Sequence, residues 1–294
     1  MKFQDIHLRD PFIMPYGGKY YLYGTRGRNA WETWGSLGFD VYISEDLINW
    51  SDPISVFEEF PGFWGTMNHW APEVHEYKGK FYMFASFKNE NCCRGTQILI
   101  ADTPMGPFVP HSDDAITPHD WECLDGTFYI AKDGKPYIVF CHEWTQIGNG
   151  EICALQLTED LKHAVGEPRL LFRAHDPAWS ILPDWAAENN LIAYVTDGPF
   201  LYRGETGKLY MLWSSFAETG YVQAVAVSDN DDIDGNWSHE HPLLMEKDGG
   251  HGMLFTDYSG QLHLTLHAPN KRPMERPVLY DITEENGVLK RIKA

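Results

Sequence analysis

One short motif recurs five times along the chain, and it limits the fold more than any other feature. A turn ends in Gly-Lys, or once in Gly-Gln, and a run rich in aromatic and aliphatic residues follows: GGKYYLYGT, KGKFYMFAS, DGKPYIVFC, TGKLYMLWS and SGQLHLTLH. The turn glycines are 61, 55, 73 and 53 residues apart. Self-similarity at a nearly constant period indicates repeated supersecondary units.

Each unit reads as a small antiparallel sheet. A short apolar stretch precedes every turn, so the first two strands form a hairpin. A third strand-like segment follows in each unit (FDVYIS, TQILIA, EICALQL, VQAVAVS and PVLYDI), and most units have a plausible fourth, such as PISVF and RLLF. This pattern is typical of β-propeller blades. We therefore predict an all-β chain, a single five-bladed β-propeller over residues 1–294. Two unrelated β-sandwiches are the alternative, but they would not produce five evenly spaced copies of one hairpin.

The longer loops are predicted on one face of the propeller, together with the start of every first strand. Function is expected there, because binding residues concentrate on long loops held by a rigid scaffold. Eight of the eleven tryptophans fall in or beside these loops: Trp31, Trp34, Trp64, Trp70, Trp121, Trp144, Trp179 and Trp185. Such aromatic residues suit stacking on sugar rings. About half of them are expected to fill loop interiors instead.

The charge balance argues against two classes of partner. The chain has 23 Lys and Arg against 42 Asp and Glu, a formal charge of −19. That charge would repel nucleic acid and anionic membranes, so neither is predicted as a partner. The first residues, MKFQDIHLRD, lack a secretory pattern, and no segment approaches the ~18 apolar residues of a membrane span. We expect a cytoplasmic protein, with its oligomeric state left open.

Ionisable residues recur where the first strand of each blade begins. These positions hold Asp10, Glu73, Asp125, Asp197 and His251. The innermost strand of a blade starts near the propeller axis, so we expect four carboxylates and one histidine to converge on one pocket with shifted pKa values. Glycoside hydrolysis needs such a set: one carboxylic acid protonates the leaving oxygen, and one carboxylate activates water or attacks the sugar. A third carboxylate can keep the acid protonated.

These motifs resemble glycoside hydrolase family 43 along essentially the whole chain. RDPFI at 9–13 resembles its blade-one motif, which implies that Asp10 is the general base, and WAPEV at 70–74 resembles its blade-two motif. LDGTF at 124–128 implies that Asp125 tunes the pKa of the acid. TDGPFLY at 196–202 is similar to the motif that carries the general acid, here Asp197. The histidine of His251-Gly252 resembles one at the family's channel, where a water network or a calcium ion often binds.

The chain departs from the family pattern at the acid. The family usually has Glu where this chain has Asp197, and the shorter side chain must still come within about 2.6–3.2 Å of the leaving oxygen. Glu143, in CHEWTQ, is the best substitute, and Glu218, in FAETG, is the third candidate.

Further residues are assigned to substrate binding. They are Arg9, Trp70, Glu73, Trp144, Arg272 and Arg276. Glu73 has a second interpretation as a structural partner of Arg9 or another cation, and the two loop arginines could equally form ordinary salt bridges. His251 is the one candidate metal ligand, for a Ca²⁺ ion in the channel, and no cofactor is predicted to be required.

The carboxylate set and the family resemblance together imply an exo-acting or small-substrate glycoside hydrolase of the arabinofuranosidase or xylosidase type, which releases a pentose-type residue from plant-type oligosaccharides. By resemblance it would invert configuration, with its working carboxyl groups roughly 6.5–9.5 Å apart. One alternative is a sugar phosphorylase on the same fold, which needs a cationic phosphate site. Its candidate cations are Arg26, Arg28, Lys88, Arg94, Lys271 and Arg272. The other is a carbohydrate-binding propeller that has lost catalysis.

Overall fold

The computed structural model describes residues 1–26 and 37–292. Within these ranges the strands form five antiparallel sheets of four strands each, arranged as the blades of a β-propeller. The prediction of a five-bladed propeller is thereby confirmed. No helix in the described ranges has the length and apolar character needed to cross a membrane.

Strands of each blade follow one another in sequence. Blade 1 contains β1 (Leu8–Tyr16), β2 (Lys19–Arg26), β3 (Phe39–Ser44) and β4 (Ile54–Phe57). Blade 2 contains β5 (Met67–Tyr77), β6 (Lys80–Asn89), β7 (Cys92–Ala101) and β8 (Val109–Pro110). Blade 3 contains β9 (Cys123–Ile130), β10 (Pro136–His142), β11 (Glu151–Leu157) and β12 (Ala164–Arg173).

The last two blades have the same order. Blade 4 contains β13 (Asp197–Arg203), β14 (Leu209–Ala217), β15 (Gly220–Ser228) and β16 (Trp237–Ser238). Blade 5 contains β17 (Gly250–Thr256), β18 (Leu262–Ala268), β19 (Arg276–Glu285) and β20 (Val288–Arg291). Short helices lie at Phe3–Asp5 (3₁₀), Trp144–Ile147 (α1) and Asp184–Glu188 (α2).

The predicted hairpins and third strands are present in all five blades, and so is a fourth strand. In blades 2 and 4 the fourth strand has only two residues. It is the outer edge of its sheet, where a short strand offers little template for pairing with another chain.

Large apolar side chains fill the spaces between neighbouring blades. Alternate residues of each strand point to opposite faces of the sheet, so each blade packs against both of its neighbours. One cluster joins blades 1 and 2 and also includes Met253 and Phe255 of blade 5. Three others lie between blades 2 and 3, 3 and 4, and 4 and 5. Trp213, Tyr23 and Tyr210 are the largest fully buried side chains among the residues described.

Every inner strand contains a β-bulge at the same place. Two residues of the first strand lie opposite one residue of the second, and the first bulge residue has a left-handed backbone, with φ between 46° and 56°. These residues are Asp10, Ala71, Asp125, Gly198 and His251. Glycine, aspartate and histidine are among the types that tolerate this conformation best, so four of the five positions suit it.

The backbone N–H of each first bulge residue donates to a side chain of the preceding blade. Thr25 Oγ1 accepts from Ala71, and Ser86 Oγ accepts from Asp125. The other three pairs are Asp125 Oδ2 with Gly198, Ser214 Oγ with His251, and His267 Nδ1 with Asp10. We call this set the inter-blade ring. It links all five blades around the mouth of the channel.

Blades 5 and 1 are held together by side chains rather than by a shared strand, since each described sheet is continuous in sequence. Arg9 Nη1 lies 2.8 Å from Glu275 Oε1, and both side chains are almost fully buried. The same Nη1 donates to Asn270 Oδ1 at 3.1 Å. A buried pair of this kind is destabilising when one partner is lost, because the other charge remains in the interior.

Glu275→Gln should therefore lower the free energy of unfolding by about 3 kcal/mol. The matched control is Glu285→Gln, which removes the exposed 2.9 Å pair with Lys290 and should cost less than about 1 kcal/mol. Chemical denaturation of both variants measures the difference. Equal losses of stability in the two variants would show that the Arg9–Glu275 pair does not hold blades 5 and 1 together.

Candidate active site

A cavity of about 320 Å³ opens at the axis, on the face where the inner strands begin. Its walls come from the starts of first strands, the ends of second strands and the connections between blades. The lining residues are Arg9, Asp10, Thr25, Trp70, Leu124, Asp125, Glu143, Trp144, Trp185, Val195, Asp197, Phe216, Tyr221, His251 and Asn270. A cavity of this size, with apolar walls and a few convergent polar groups, is typical of a site for a small ligand.

Asp10 is the carboxylate with the most positive surroundings. Its Oδ1 lies 3.2 Å from His251 Nδ1, and Thr25 Oγ1 donates to its Oδ2 at 2.6 Å. Burial alone would raise the pKa of Asp10, but interactions with His251, His267 and Arg9 hold that pKa well below its ordinary value. Asp10 is therefore ionised at neutral pH.

Asp197 has the opposite environment. Burial, and then repulsion by Asp125, raises the pKa of Asp197 to about 7, although Tyr221 donates a hydrogen bond to Asp197 Oδ2 at 2.9 Å. Burial and the neighbouring charge of Asp10 raise the pKa of Asp125 as well, while the N–H of Gly198 donates to Asp125 Oδ2. The Asp125–Asp197 pair thus retains a proton at pH values where an ordinary aspartate is ionised.

The four carboxylates do not occupy equivalent positions in their blades, although the sequence motifs predicted that they would. Asp10 and Asp125 are first bulge residues, but Asp197 precedes the bulge of blade 4, where Gly198 takes the left-handed position. A Cβ at Gly198 would lie 2.7 Å from the His251 ring, so glycine also permits this close packing. In blade 2, Ala71 holds the equivalent place.

Glu73 does not line the cavity, although the sequence analysis aimed it there. It follows the bulge of blade 2, pairs with Phe84 of β6, and its Oε2 lies 3.1 Å from His75 Nε2. The side chain beside Glu73 is therefore His75 and not Arg9.

Glu143 reaches the cavity wall but is engaged by a cation. Arg94 Nη1 is in close contact with its Oε2, and the Arg94 guanidinium stacks 4.4 Å from the Trp70 ring centroid. To act as an acid, Glu143 would have to give up this ion pair for a proton. Glu218, the third candidate, is exposed in the turn between β14 and β15 and does not line the cavity.

Three tryptophans line the cavity, namely Trp70, Trp144 and Trp185. Trp144 on α1 and Trp185 on α2 meet with ring centroids 5.4 Å apart, so the two short helices together present an aromatic wall. Trp121 stacks on His142, and Trp179 packs against Trp213, which agrees with the expectation that some loop tryptophans fill interiors. Trp31 and Trp34 lie outside the described residues, as does Arg28.

Arg272 and Arg276, which were predicted to bind substrate, do not line the cavity. Arg276 donates to the carbonyl oxygen of Glu275 and lies 2.7 Å from His7 Nε2, so it joins the last blade to the start of the chain. Arg9 lines the cavity, but its guanidinium is paired with Glu275.

Tyr221, His267 and Asn270 were not predicted, because they lie on second and third strands or in a connection and no blade-start motif contains them. Trp185 was predicted only as one of the eight loop tryptophans. His267 Nδ1 accepts from the Asp10 N–H, which leaves its Nε2 hydrogen to donate to Asn270 Oδ1 at 3.2 Å. The only local signal was the histidine in LHLTLHA at the strand end facing the Asp10 motif.

The donor set does not fit a Ca²⁺ ion held by protein ligands. Calcium prefers six to eight oxygen ligands. Across residues 1–26 and 37–292, no group of three or more His, Cys, Asp or Glu side chains is arranged to hold a metal. His251 instead faces Asp10 and Asp125, at 3.2 and 3.7 Å. A cation at His251 stays a prediction, and no step below uses one.

Known proteins share this sequence pattern and fold. Residues 4–292 match the family described as "Glycosyl hydrolases family 43". The endo-arabinase from Bacteroides thetaiotaomicron VPI-5482 is 42% identical, with a TM-score of 0.88 and 98% of each chain covered. An endo-1,4-beta-xylanase from the same organism is 26% identical, with a TM-score of 0.79 over 98% of this chain and 95% of the other.

A curated protein, "Xylosidase/arabinosidase" of Bacteroides ovatus, is 25% identical over 144 residues, which is 44% of each chain. An extracellular endo-alpha-(1->5)-L-arabinanase of Bacillus subtilis is 23% identical over 48% of this chain and 45% of the relative. The chain spans less than half the length of these curated relatives.

Asp197→Asn should stabilise the protein more at pH 8 than at pH 5. The native pKa of Asp197 is about 7 and its ordinary value is 3.8, so native stability falls as the pH rises between these values. Asparagine removes that dependence, and the stabilisation should be about 2–3 kcal/mol larger at pH 8. Denaturant unfolding at both pH values measures it, with exposed Asp113→Asn as the control. A pH-independent effect would contradict the raised pKa.

Proposed function

The chain belongs to glycosyl hydrolase family 43, and we propose that it hydrolyses α-L-arabinofuranosyl or β-D-xylosyl linkages of plant-type oligosaccharides with inversion of configuration. The observation that carries the proposal is the separation of pKa values around one cavity. Asp10 is held ionised, whereas Asp197 holds its proton up to about pH 7. Two carboxyl groups with opposite protonation are what a base and an acid require.

Asp10 acts as the base in this proposal. It accepts a proton from the water that attacks the anomeric carbon, while Asp197 donates a proton to the leaving oxygen. Asp125 acts as the modulator because it forms with Asp197 a buried pair that retains a proton, and the Gly198 N–H fixes its carboxyl group. The reaction consumes one water, and the acid, the base and that water supply every proton exchanged. No organic cofactor is needed.

The choice of sugar is supported by the relatives and by the cavity. The similar proteins carry arabinase, arabinosidase, xylosidase or xylanase names. Trp70, Trp144 and Trp185 offer apolar faces for sugar rings. The Arg94–Glu143 pair fixes the Trp70 side of this wall, so we assign Glu143 a positioning role.

A phosphorylase is less well supported because three of its six candidate cations are already engaged by carboxylates. Arg26 pairs with Asp40, Lys88 with Glu122, and Arg94 with Glu143. A phosphate site would need these charges to be available. Dependence of product formation on inorganic phosphate would reverse this preference.

Substrate panels with three variants test the assignment. We expect Asp10→Asn to abolish turnover of both 4-nitrophenyl pentosides and the trisaccharides α-1,5-arabinotriose and β-1,4-xylotriose. Asp197→Asn should lose about 10²- to 10⁴-fold on the trisaccharide and far less on the nitrophenyl glycoside, whose leaving group needs little protonation. Glu143→Gln should affect both substrates alike.

Proton NMR of the first product formed distinguishes inversion from retention in the same assays. Retention of configuration, or full activity of Asp10→Asn, would contradict the proposed mechanism. A wild-type protein that binds these sugars without turnover would be a carbohydrate-binding propeller instead.

The pH dependence of kcat/KM follows from the two shifted pKa values. On the trisaccharide, kcat/KM should fall about tenfold per pH unit above pH 7, as Asp197 loses its proton. No ascending limb is expected between pH 5 and 7, because Asp10 is already ionised there. Initial rates from pH 5 to 9 measure the profile, and a flat profile to pH 9 would rule out Asp197 as the acid.

A further inference from the structure

We propose that Tyr221 is a second catalytic residue, whose hydroxyl relays the proton of Asp197 to the leaving oxygen. This inference rests on the proposed function, because it needs Asp197 to be the acid. It answers the question raised by the short acid side chain. A glutamate would carry its carboxyl about 1.5 Å further into the cavity, one C–C bond more than Asp197 can reach.

The tyrosine hydroxyl lies next to the acid. Tyr221 Oη is 2.9 Å from Asp197 Oδ2, and both residues line the same cavity. Tyr221 is the second residue of β15, at the end of the strand nearest the cavity mouth. It pairs with Phe216 of β14. Its hydroxyl extends the hydrogen-bonding reach of Asp197 by the length of one hydrogen bond.

The ring of Tyr221 is held on several sides. It stacks on His267, with centroids 5.8 Å apart and planes 16° apart, and it contacts Phe216 at 5.4 Å. A Cβ added to Gly250 would lie 2.6 Å from the ring edge, so the backbone of blade 5 lies directly against it. A ring fixed in this way holds its hydroxyl in one place, as a proton relay requires.

The direction of the hydrogen bond depends on the proton of Asp197. When Asp197 is ionised, the hydroxyl can only donate to it. Only when Asp197 is protonated can its carboxyl group donate to Tyr221 Oη and leave the tyrosyl hydrogen available to the cavity. The protonated acid therefore sets the relay in the productive direction.

The relay moves two protons towards the leaving oxygen while the glycosidic bond breaks. The bond between the anomeric carbon and the glycosidic oxygen breaks, and that oxygen takes the hydroxyl proton of Tyr221. Tyr221 Oη takes the carboxyl proton of Asp197, which becomes a carboxylate. Water adds to the anomeric carbon and gives a proton to Asp10. After product release, Asp197 regains its proton and Asp10 loses one to solvent.

Both protons are expected to move together. Burial and the adjacent carboxylate raise the pKa of the Tyr221 phenol well above its ordinary value of 10, so a tyrosinate intermediate would be costly. A concerted transfer avoids that intermediate. It also places two protons in motion on the acid side of the transition state, where direct transfer from Asp197 would move only one.

The test compares Tyr221→Phe in two backgrounds, the natural Asp197 and Asp197→Glu. Each protein is assayed on α-1,5-arabinotriose, β-1,4-xylotriose and the corresponding 4-nitrophenyl pentosides. Tyr221→Phe should lower kcat at least about 100-fold on the trisaccharide and less than about 10-fold on the aryl glycoside. In the Asp197→Glu background the longer acid reaches the oxygen directly, so the same substitution should have little effect.

A matched control keeps stability separate from catalysis. Tyr210 lies in the same blade as Tyr221 and donates a 3.0 Å hydrogen bond to Glu284 of blade 5, but it does not line the cavity, so Tyr210→Phe removes a comparable hydrogen bond from a buried tyrosine to a carboxylate. It should lower stability without changing the ratio of trisaccharide to aryl-glycoside rates. Thermal unfolding of both tyrosine variants checks that each is folded at the assay temperature.

Solvent isotope measurements on the wild-type protein give an independent readout. The relay adds a second acid-side proton to the water proton that Asp10 takes, so the trisaccharide rate should fall as a strongly curved function of the D₂O fraction, and Tyr221→Phe should reduce that curvature. A linear wild-type plot, or equal loss by Tyr221→Phe on both leaving groups, would overturn the relay. If the wild-type protein hydrolyses no substrate, the proposed function itself fails. If it hydrolyses them and Tyr221→Phe is fully active, only the relay fails.

Discussion

The inter-blade ring is the constraint on which the rest of the structure depends. Each inner strand must turn at its start, and a left-handed residue in a bulge makes that turn. The turn leaves one backbone N–H without a partner in its own sheet, and a side chain of the preceding blade accepts from it. Where Cys141 occupies the acceptor position of blade 3, the carboxylate of Asp125 takes over. The hydrogen bond that completes the inter-blade ring between blades 3 and 4 therefore also fixes the Asp125 carboxyl group.

This coupling explains why charged groups can be buried at the axis at all. Asp10, Asp125 and Asp197 line one cavity, and their mutual repulsion would be severe if all were ionised. The arrangement avoids that state, because His251 and Arg9 stabilise the charge on Asp10 while burial keeps a proton on the Asp125–Asp197 pair. Arg9 and His267, which join blades 5 and 1, also contact Asp10 and help to lower its pKa.

Sequence patterns predicted the propeller well because hairpins and their turns are local features. Asp10, Asp125, Asp197 and His251 could be found for the same reason, since each lies in a motif at a blade start. Glu73 was misplaced because a bulge redirects the side chains that follow it, and period-two alternation contains no sign of the inserted residue. Tyr221 and Asn270 were missed because long-range register brings them to the cavity.

The two carboxyl groups of the proposed acid–base pair change native stability in opposite directions. The low native pKa of Asp10 contributes stability above the ordinary aspartate pKa, and that stability is lost as the pH falls below it. The raised pKa of Asp197 has the opposite sign, because stability is lost as the pH rises from about 4 to about 7. Between about pH 4 and pH 7 the stabilisation from ionised Asp10 therefore offsets the cost of keeping Asp197 protonated in the native state. The reactive pair is held in this range because the fold places His251 and Arg9 beside Asp10 and buries Asp197 beside Asp125.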